Sequence, residues 1–284
     1  MRVVSTIAEM RAACHALSPP GKTLGLVPTM GALHDGHLSL VRAAKASCDA
    51  IAASIFVNPT QFAANEDLDK YPRTFAADCA LLEEAGVNLV FAPTVAEMYP
   101  AGASTWVEVA GVGDRLDGAS RPGHFRGVAT VVAKLFHIVA PARAFFGQKD
   151  AAQLAILRKM VRDLDFDLEI VACPIVREAD GLAMSSRNRY LSRDQRKQAT
   201  VISRALRAAS DSATSGETSS PELLKRMSSM MAEEPSARID YIAVVDPDTL
   251  EDIPDVRHGG LLAIAAVFGT TRLIDNTLLG EQRQ

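Results

Sequence analysis

The sequence predicts an α/β fold, a parallel sheet with its helices followed by a smaller α+β region. Three observations carry that expectation. Short β-rich runs alternate with helix-length segments through the first part of the chain, the helical segments end on residues suited to ending helices, and the pattern changes after Val176.

The strand candidates are 23–27, 51–57, 87–91, 143–146 and 168–172, and their alternation with helices reads as βαβ units. Among the helices, Phe75–Ala85 stops at Gly86, a residue that accepts the left-handed cap conformation, and 128–139 halts before Pro141. Residues 1–175 are therefore expected to form a Rossmann-like nucleotide-binding domain, with ligands outside the carboxyl ends of the strands. Past Val176 come a polar loop, a charged helix from Ser192 and a Ser/Thr-rich stretch, 209–221, expected to link two helices. Two further β-like runs, 239–245 and 261–268, complete a 176–284 α+β domain expected to close over the first as a lid. No internal repeat is visible.

Composition narrows the function classes. With 284 residues, 48% hydrophobic and 23% charged, the chain can bury one large or two modest cores. Its formal charge of -4 gives no basic footprint for nucleic acid. Cys14, Cys48, Cys79 and Cys173 are scattered without a C-x-x-C pair, which argues against a zinc knuckle or a stapled secreted domain and fits a reducing, cytoplasmic setting. Glu9 and Arg11 fall where a signal peptide needs an apolar core, and no stretch reaches the ~18 apolar residues of a membrane span. A soluble protein without a membrane partner is expected.

Four segments carry candidate chemistry. The first strand runs into P-T-M-G-A-L-H-D-G-H, which places His34 and His37 at a helix opening. Residues three apart share a helix face, and free N–H groups there add positive potential suited to a phosphate. Gly31 and Gly36 would let the backbone approach a nucleotide. The pair also fits a structural role or half of a metal site, although the other histidines and the cysteines show no zinc spacing. The second strand ends in S-I-F-V-N-P-T-Q-F, where Gln61 would offer an amide to hydroxyl and carboxylate oxygens or simply stabilise its loop. The strand near 143–146 leads to F-F-G-Q-K-D-A-A-Q-L. There Lys149 suits phosphate, Asp150 suits a ribose hydroxyl or a helix cap, and Gln153 lies one turn on. Finally, A-M-S-S-R places Ser185, Ser186 and Arg187 in a polar loop able to grip a triphosphate, as a solvated linker would also look.

Taken together the segments resemble the pantothenate synthetase family, part of the adenylyl-transferring superfamily that includes class I aminoacyl-tRNA synthetases. H-D-G-H is similar to that superfamily's H-I-G-H signature and M-S-S-R to its K-M-S-K-S loop. Y-P-R-T at Tyr71 and R-P-G-H-F-R-G-V at Arg121 extend the resemblance over most of the chain. The resemblance implies a homodimeric ligase joining pantoate to β-alanine with ATP and Mg²⁺ through a pantoyl adenylate, releasing AMP and pyrophosphate. It implies that Met30, Gly31, Ala32, Leu33, His34, Asp35, Gly36 and His37 bind ATP, with His37 a proton donor or charge stabiliser. Gly147, Gln148, Lys149, Asp150, Val176, Met184, Ser185, Ser186 and Arg187 complete the nucleotide contacts. His34, Lys149, Ser185, Ser186 and Arg187 share with His37 the charge of the reacting phosphate, and Gln61 and Gln153 bind pantoate, with Gln61 also near β-alanine. Ala152 departs from the family's paired glutamines. The metal ligands stay unassigned; Asp78 resembles an acidic position of the family, or is a helix-surface aspartate. A nucleotidylyltransferase, an aminoacyl-tRNA synthetase, a regulatory nucleotide-binding module and a metal hydrolase are the alternative readings.

Overall fold

The computed structural model describes residues 1–63, 68–69 and 71–280, and the chain divides into two compact units. The first comprises Met1–Gly147 and Ile156–Pro174, and the second comprises Gln148–Ala155 with the residues from Ile175 onward.

In chain order the first part contains β1 (Arg2–Val4), α1 (Ile7–Leu17), β2 (Leu24–Thr29), α2 (Asp35–Ser47), β3 (Ala50–Ile55), α3 (Phe75–Ala85), β4 (Leu89–Phe91), α4 (Val95–Met98), α5 (Asp117–Ser120), α6 (His124–Val139), β5 (Arg143–Gly147), α7 (Ala151–Asp163) and β6 (Glu169–Cys173). The six strands form one parallel sheet in the order β1-β4-β3-β2-β5-β6. From β2 the chain winds outward through β3 and β4, then β5 returns to the opposite side of β2. The order therefore reverses between β2 and β5, the position at which an open α/β sheet leaves a crevice at its carboxyl edge.

The central strands are apolar along their length because helices cover both faces of a parallel sheet. Leu24, Leu26 and Val27 of β2 and Ala52 and Ala53 of β3 are buried. Gly25 is needed within β2: a Cβ there would meet Cys48 Sγ at 3.0 Å and the Phe145 ring at 3.1 Å. Helix α3 ends as its sequence predicts, at Gly86 with φ 90° and ψ 24°. Helix α6 begins at His124, four residues before the predicted start, since Phe125 and Gly127 belong to its buried side. Strand β1, paired with β4 at the sheet edge, is not among the predicted strands; three residues are too few to show a period.

The second unit holds α8 (Arg193–Ala199), α9 (Val201–Thr214), α10 (Ser220–Ala232), β7 (Ala237–Val245), β8 (Gly260–Phe268) and β9 (Thr271–Leu279). Its strands form an antiparallel sheet in the order β7-β8-β9. The expected linker over 209–221 is corrected: α9 continues to Thr214 and α10 starts at Ser220. Ala205, Leu206 and Ala209 are buried in one cluster with Leu223, Met227 and Met231, so burial of small side chains outweighs the weak helix propensity of the serines and threonines beside them. Strand β9 has no counterpart among the predicted strands, and it packs against the Gln148–Asp150 and Ser186–Tyr190 turns of the same unit.

Candidate active site

In the first unit, the loop between β2 and α2 is held from within. Thr29 Oγ1 donates to the Ser54 carbonyl at 2.7 Å and accepts from the Gly31 N–H at 3.2 Å. Gly31 and Ala32 then take consecutive left-handed conformations, with φ of 81° and 53°. The N–H groups of Ala32 and Leu33 both donate to Asp78, at 3.0 and 2.9 Å. Asp78 lies on α3 and is only 2% exposed, so it is not a surface residue of that helix.

His34 is the N-cap of α2 rather than a residue within it. Its Nδ1 accepts from the Gly36 N–H at 3.1 Å, while His37 Nδ1 accepts from the His34 N–H at 3.3 Å, and the ring centroids are 4.1 Å apart. The two imidazoles come together through reciprocal capping, not through a shared helix face. A ring nitrogen that accepts a hydrogen bond carries no proton, so the network assigns the proton of each neutral ring to Nε2. The expectation of free backbone N–H groups is corrected here. Those of Gly31, Ala32, Leu33, His34, Gly36 and His37 all have acceptors within the chain.

Beyond β3, Asn58 is 1% exposed and organises the turn that carries Gln61. Its Oδ1 accepts from Tyr99 Oη and Thr60 Oγ1, both at 2.9 Å; its Nδ2 donates to Gln61 Oε1 and to the Gly127 carbonyl, both at 3.1 Å. Because Gln61 uses its oxygen toward Asn58, its Nε2 turns toward Met30, whose Sδ lies 2.9 Å away. Met30 and Gln61, predicted on separate loops, are thus neighbours. The Gln61 carbonyl is in turn bound by His124 Nδ1 at 2.8 Å, and Arg121 lies 3.0 Å from the other nitrogen of that ring. The R-P-G-H-F-R-G-V segment therefore fixes the Gln61 backbone, a role that its sequence does not reveal.

In the second unit, Gln148, Lys149 and Asp150 form a turn of 3-10 helix leading into α7. Asn276 of β9 donates from Nδ2 to the carbonyls of Gln148 and Lys149, both at 2.9 Å, and accepts from Gln148 Nε2 at 3.2 Å. Its neighbour Asp275 holds Arg177 through two hydrogen bonds of 2.6 and 3.0 Å. Burial pushes the Asp275 carboxyl up from the usual carboxylate range, against the opposing pull of the Arg177 guanidinium. The Met184 N–H donates to the Val176 carbonyl at 2.9 Å, and Ser185 caps the turn Ser186–Tyr190 by accepting from the Arg187 N–H at 3.2 Å.

The segment is more than a solvated linker. Asn188 donates to Glu178 at 2.6 Å, and Arg196 pairs with Glu178 and Asp180 at 2.8 and 2.7 Å. Strand β9 packs against both the Gln148–Asp150 turn and the Ser186–Tyr190 turn, so one strand positions two predicted segments. Gln153 is partly buried near the start of α7 and Asp150 is exposed. Among the described residues, no group of three or more His, Cys, Asp or Glu is placed to hold a metal ion.

The family model of pantoate-beta-alanine ligase matches residues 2–278. The chain belongs to the pantoate–β-alanine ligase family. It is 66% identical to the pantothenate synthetase of Acidobacterium capsulatum, covering 99% of this chain and 98% of that one, and 58% identical to that of Koribacter versatilis, covering 98% and 96%. Among solved structures, a pantothenate synthetase from Thermus thermophilus matches with a TM-score of 0.93 at 50% identity, over 98% of this chain and 99% of that one. The pantoate–β-alanine ligase of Francisella tularensis, complexed with β-γ ATP and β-alanine, matches with a TM-score of 0.81 at 33% identity, over 98% and 97%. Pantoate–β-alanine ligase membership displaces the nucleotidylyltransferase, aminoacyl-tRNA synthetase, regulatory-module and metal-hydrolase readings.

Proposed function

We propose that this chain condenses (R)-pantoate with β-alanine at the expense of ATP, through an enzyme-bound pantoyl adenylate. The observation that carries the reading is the reciprocal capping of His34 and His37, which fixes both imidazoles at the start of α2 with ring centroids 4.1 Å apart.

A carboxylate reacts poorly with an amine until it acquires a leaving group. A pantoate oxygen attacks the α-phosphorus of ATP, a new P–O bond forms, and the α–β bridge breaks to release pyrophosphate. Negative charge grows on the phosphoryl oxygens in flight, so the protein's work is positioning and electrostatic stabilisation. In our assignment His37 and His34 donate from Nε2 to these oxygens, within an ATP-binding segment running from Met30 through Gly31, Ala32, Leu33, Asp35 and Gly36. Gln61 and Gln153 orient pantoate. Lys149, Ser185, Ser186 and Arg187 are assigned to the phosphates, and Gly147, Gln148, Asp150, Val176 and Met184 to the rest of the nucleotide. In the second half-reaction the neutral amine of β-alanine attacks the acyl carbon, forming the C–N bond and expelling AMP, and the surplus amine proton leaves to solvent. Mg²⁺ enters as part of the MgATP substrate, neutralising phosphate charge.

We also infer a homodimer working in the cytoplasm. Support for the dimer comes from the extended segment around Trp106, whose indole is 45% exposed and stacked by the Arg126 guanidinium at 5.0 Å. Light scattering is expected to return twice the chain mass. Among the described residues no helix is long and apolar enough to cross a membrane.

Exchange of labelled pyrophosphate into ATP, with β-alanine omitted, tests the first half-reaction. Exchange that needs pantoate is expected; an ATP-binding sample that shows none would refute adenylate formation. Adding β-alanine is then expected to yield pantothenate and free AMP in equal amounts.

A further inference from the structure

We propose that Asp78 is a positioning residue for adenylate formation, an internal anion that holds the loop bearing His34 and His37 in its working shape. The inference rests on the proposed function.

Successive backbone N–H groups of a turn can converge on one point and make a concavity that attracts an anion. In the turn at Gly31 and Ala32 that anion is the Asp78 carboxylate: Oδ2 accepts from Ala32 and Oδ1 from Leu33. Thr74 Oγ1 bridges from the far side, 3.2 and 3.1 Å from the two oxygens. A left-handed conformation is uncommon for a residue with a Cβ, so Ala32 needs an outside constraint to stay there. The fit is close on the other side too, since a Cβ on Gly31 would lie 2.9 Å from Asp78 Oδ2.

Two consequences follow. A substrate phosphate does not use these amides, because the protein's own carboxylate already occupies them. And both carboxylate oxygens take donors of this loop, so the shape of the loop depends on the carboxylate. The residue acts through His37: once Ala32 and Leu33 are fixed, the N-cap at His34 follows directly, and with it the His34 N–H that His37 Nδ1 accepts.

Asp78→Asn tests this with almost no change of shape, because the new NH₂ group confronts an N–H it cannot accept. Wild-type enzyme is measured first. If it shows no pantoate-dependent exchange, the functional reading fails; if it does and D78N exchanges normally, only the positioning role fails. For D78N, exchange per ATP-binding site, counted by equilibrium dialysis, is expected to fall roughly 10- to 100-fold, the scale of a misplacement near 1 Å. The H37A/D78N double variant is expected to lie within about threefold of H37A alone, since residues acting as a unit do not add. Fully additive losses would mean a general structural role and would overturn the proposal. So would a D78N enzyme restored to the wild-type rate by raising Mg²⁺, which would make Asp78 a metal ligand. Should D78N not fold, Thr74→Val decides, because Thr74 is exposed and contributes only the bridging hydroxyl. A several-fold drop in exchange is expected from it, and an unchanged rate overturns the assignment.

Discussion

Replacing Gly127 with alanine isolates how helix α6 sets the position of Gln61. In isolation the change favours the helix by ~1 kcal/mol, because alanine is the better helix former. The tertiary setting reverses that preference. The new Cβ would lie 2.3 Å from the Thr60 carbonyl oxygen, 2.6 Å from its carbon and 2.8 Å from Gln61 Cα, where ordinary contact begins at about 3.4 Å. All three are backbone atoms, so no side chain can swing aside. Relieving the overlap takes a shift of about 1.1 Å, the difference between 3.4 and 2.3 Å, by the turn or by the helix. Strain of this kind costs ~1–3 kcal/mol, so the net loss of stability should be at most about 2 kcal/mol after the helix gain. The functional effect should be larger. Gln61 is carried by the displaced turn, and an error of ~1 Å in a substrate-positioning group can cost about 100-fold. Initial rates of pantoate-dependent exchange give kcat/KM for pantoate, and urea unfolding gives stability. A G127A enzyme within threefold of wild type in kcat/KM for pantoate would refute the claim that this close approach fixes Gln61.

Asn276→Ala removes three hydrogen bonds from the Gln148–Lys149 turn and takes the Asn276 donor from two half-buried carbonyls. A loss of roughly 2–4 kcal/mol in urea unfolding is expected, with a raised ATP requirement, and a loss below about 1 kcal/mol would count against the role of β9. Thiol labelling should divide the four cysteines two and two. Cys14 and Cys173 are buried, with thiols pushed up to about 12 and about 11, and are expected to stay unmodified in the native enzyme, while the partly exposed Cys48 and Cys79 react. Rapid labelling of all four without denaturant would contradict the packing described.

Much of the architecture is legible before any coordinates. Strands β2 to β5 announce themselves through apolar runs, because a parallel strand buried on both faces has to be apolar on both. Gly86 marks the end of α3 since few other residues accept its φ of 90°. Strand β9 is hidden because Asp275 and Asn276 interrupt its apolar pattern. Their reason for being there lies 98 and 128 residues away, in Arg177 and Gln148. The Ser/Thr-rich end of α9 misleads for a related reason: composition reports exposed side chains, whereas Ala205 and Ala209 pack the helix onto α10.

The candidate site divides in the same way. The residues proposed to carry the chemistry are readable as motifs, since H-D-G-H, G-Q-K-D and M-S-S-R are continuous in sequence and lie at the ends of predicted elements. What holds them is not. Asp78 reaches the Ala32–Leu33 amides from 45 and 46 residues away, and Asn58 and Gly127, 69 residues apart, fix the Gln61 turn together. Local sequence determines which functional groups exist and which element delivers each, because propensity and side-chain chemistry are properties of neighbouring residues. Their orientation depends on hydrogen bonds and close contacts between distant segments, and only the folded chain brings those partners within reach.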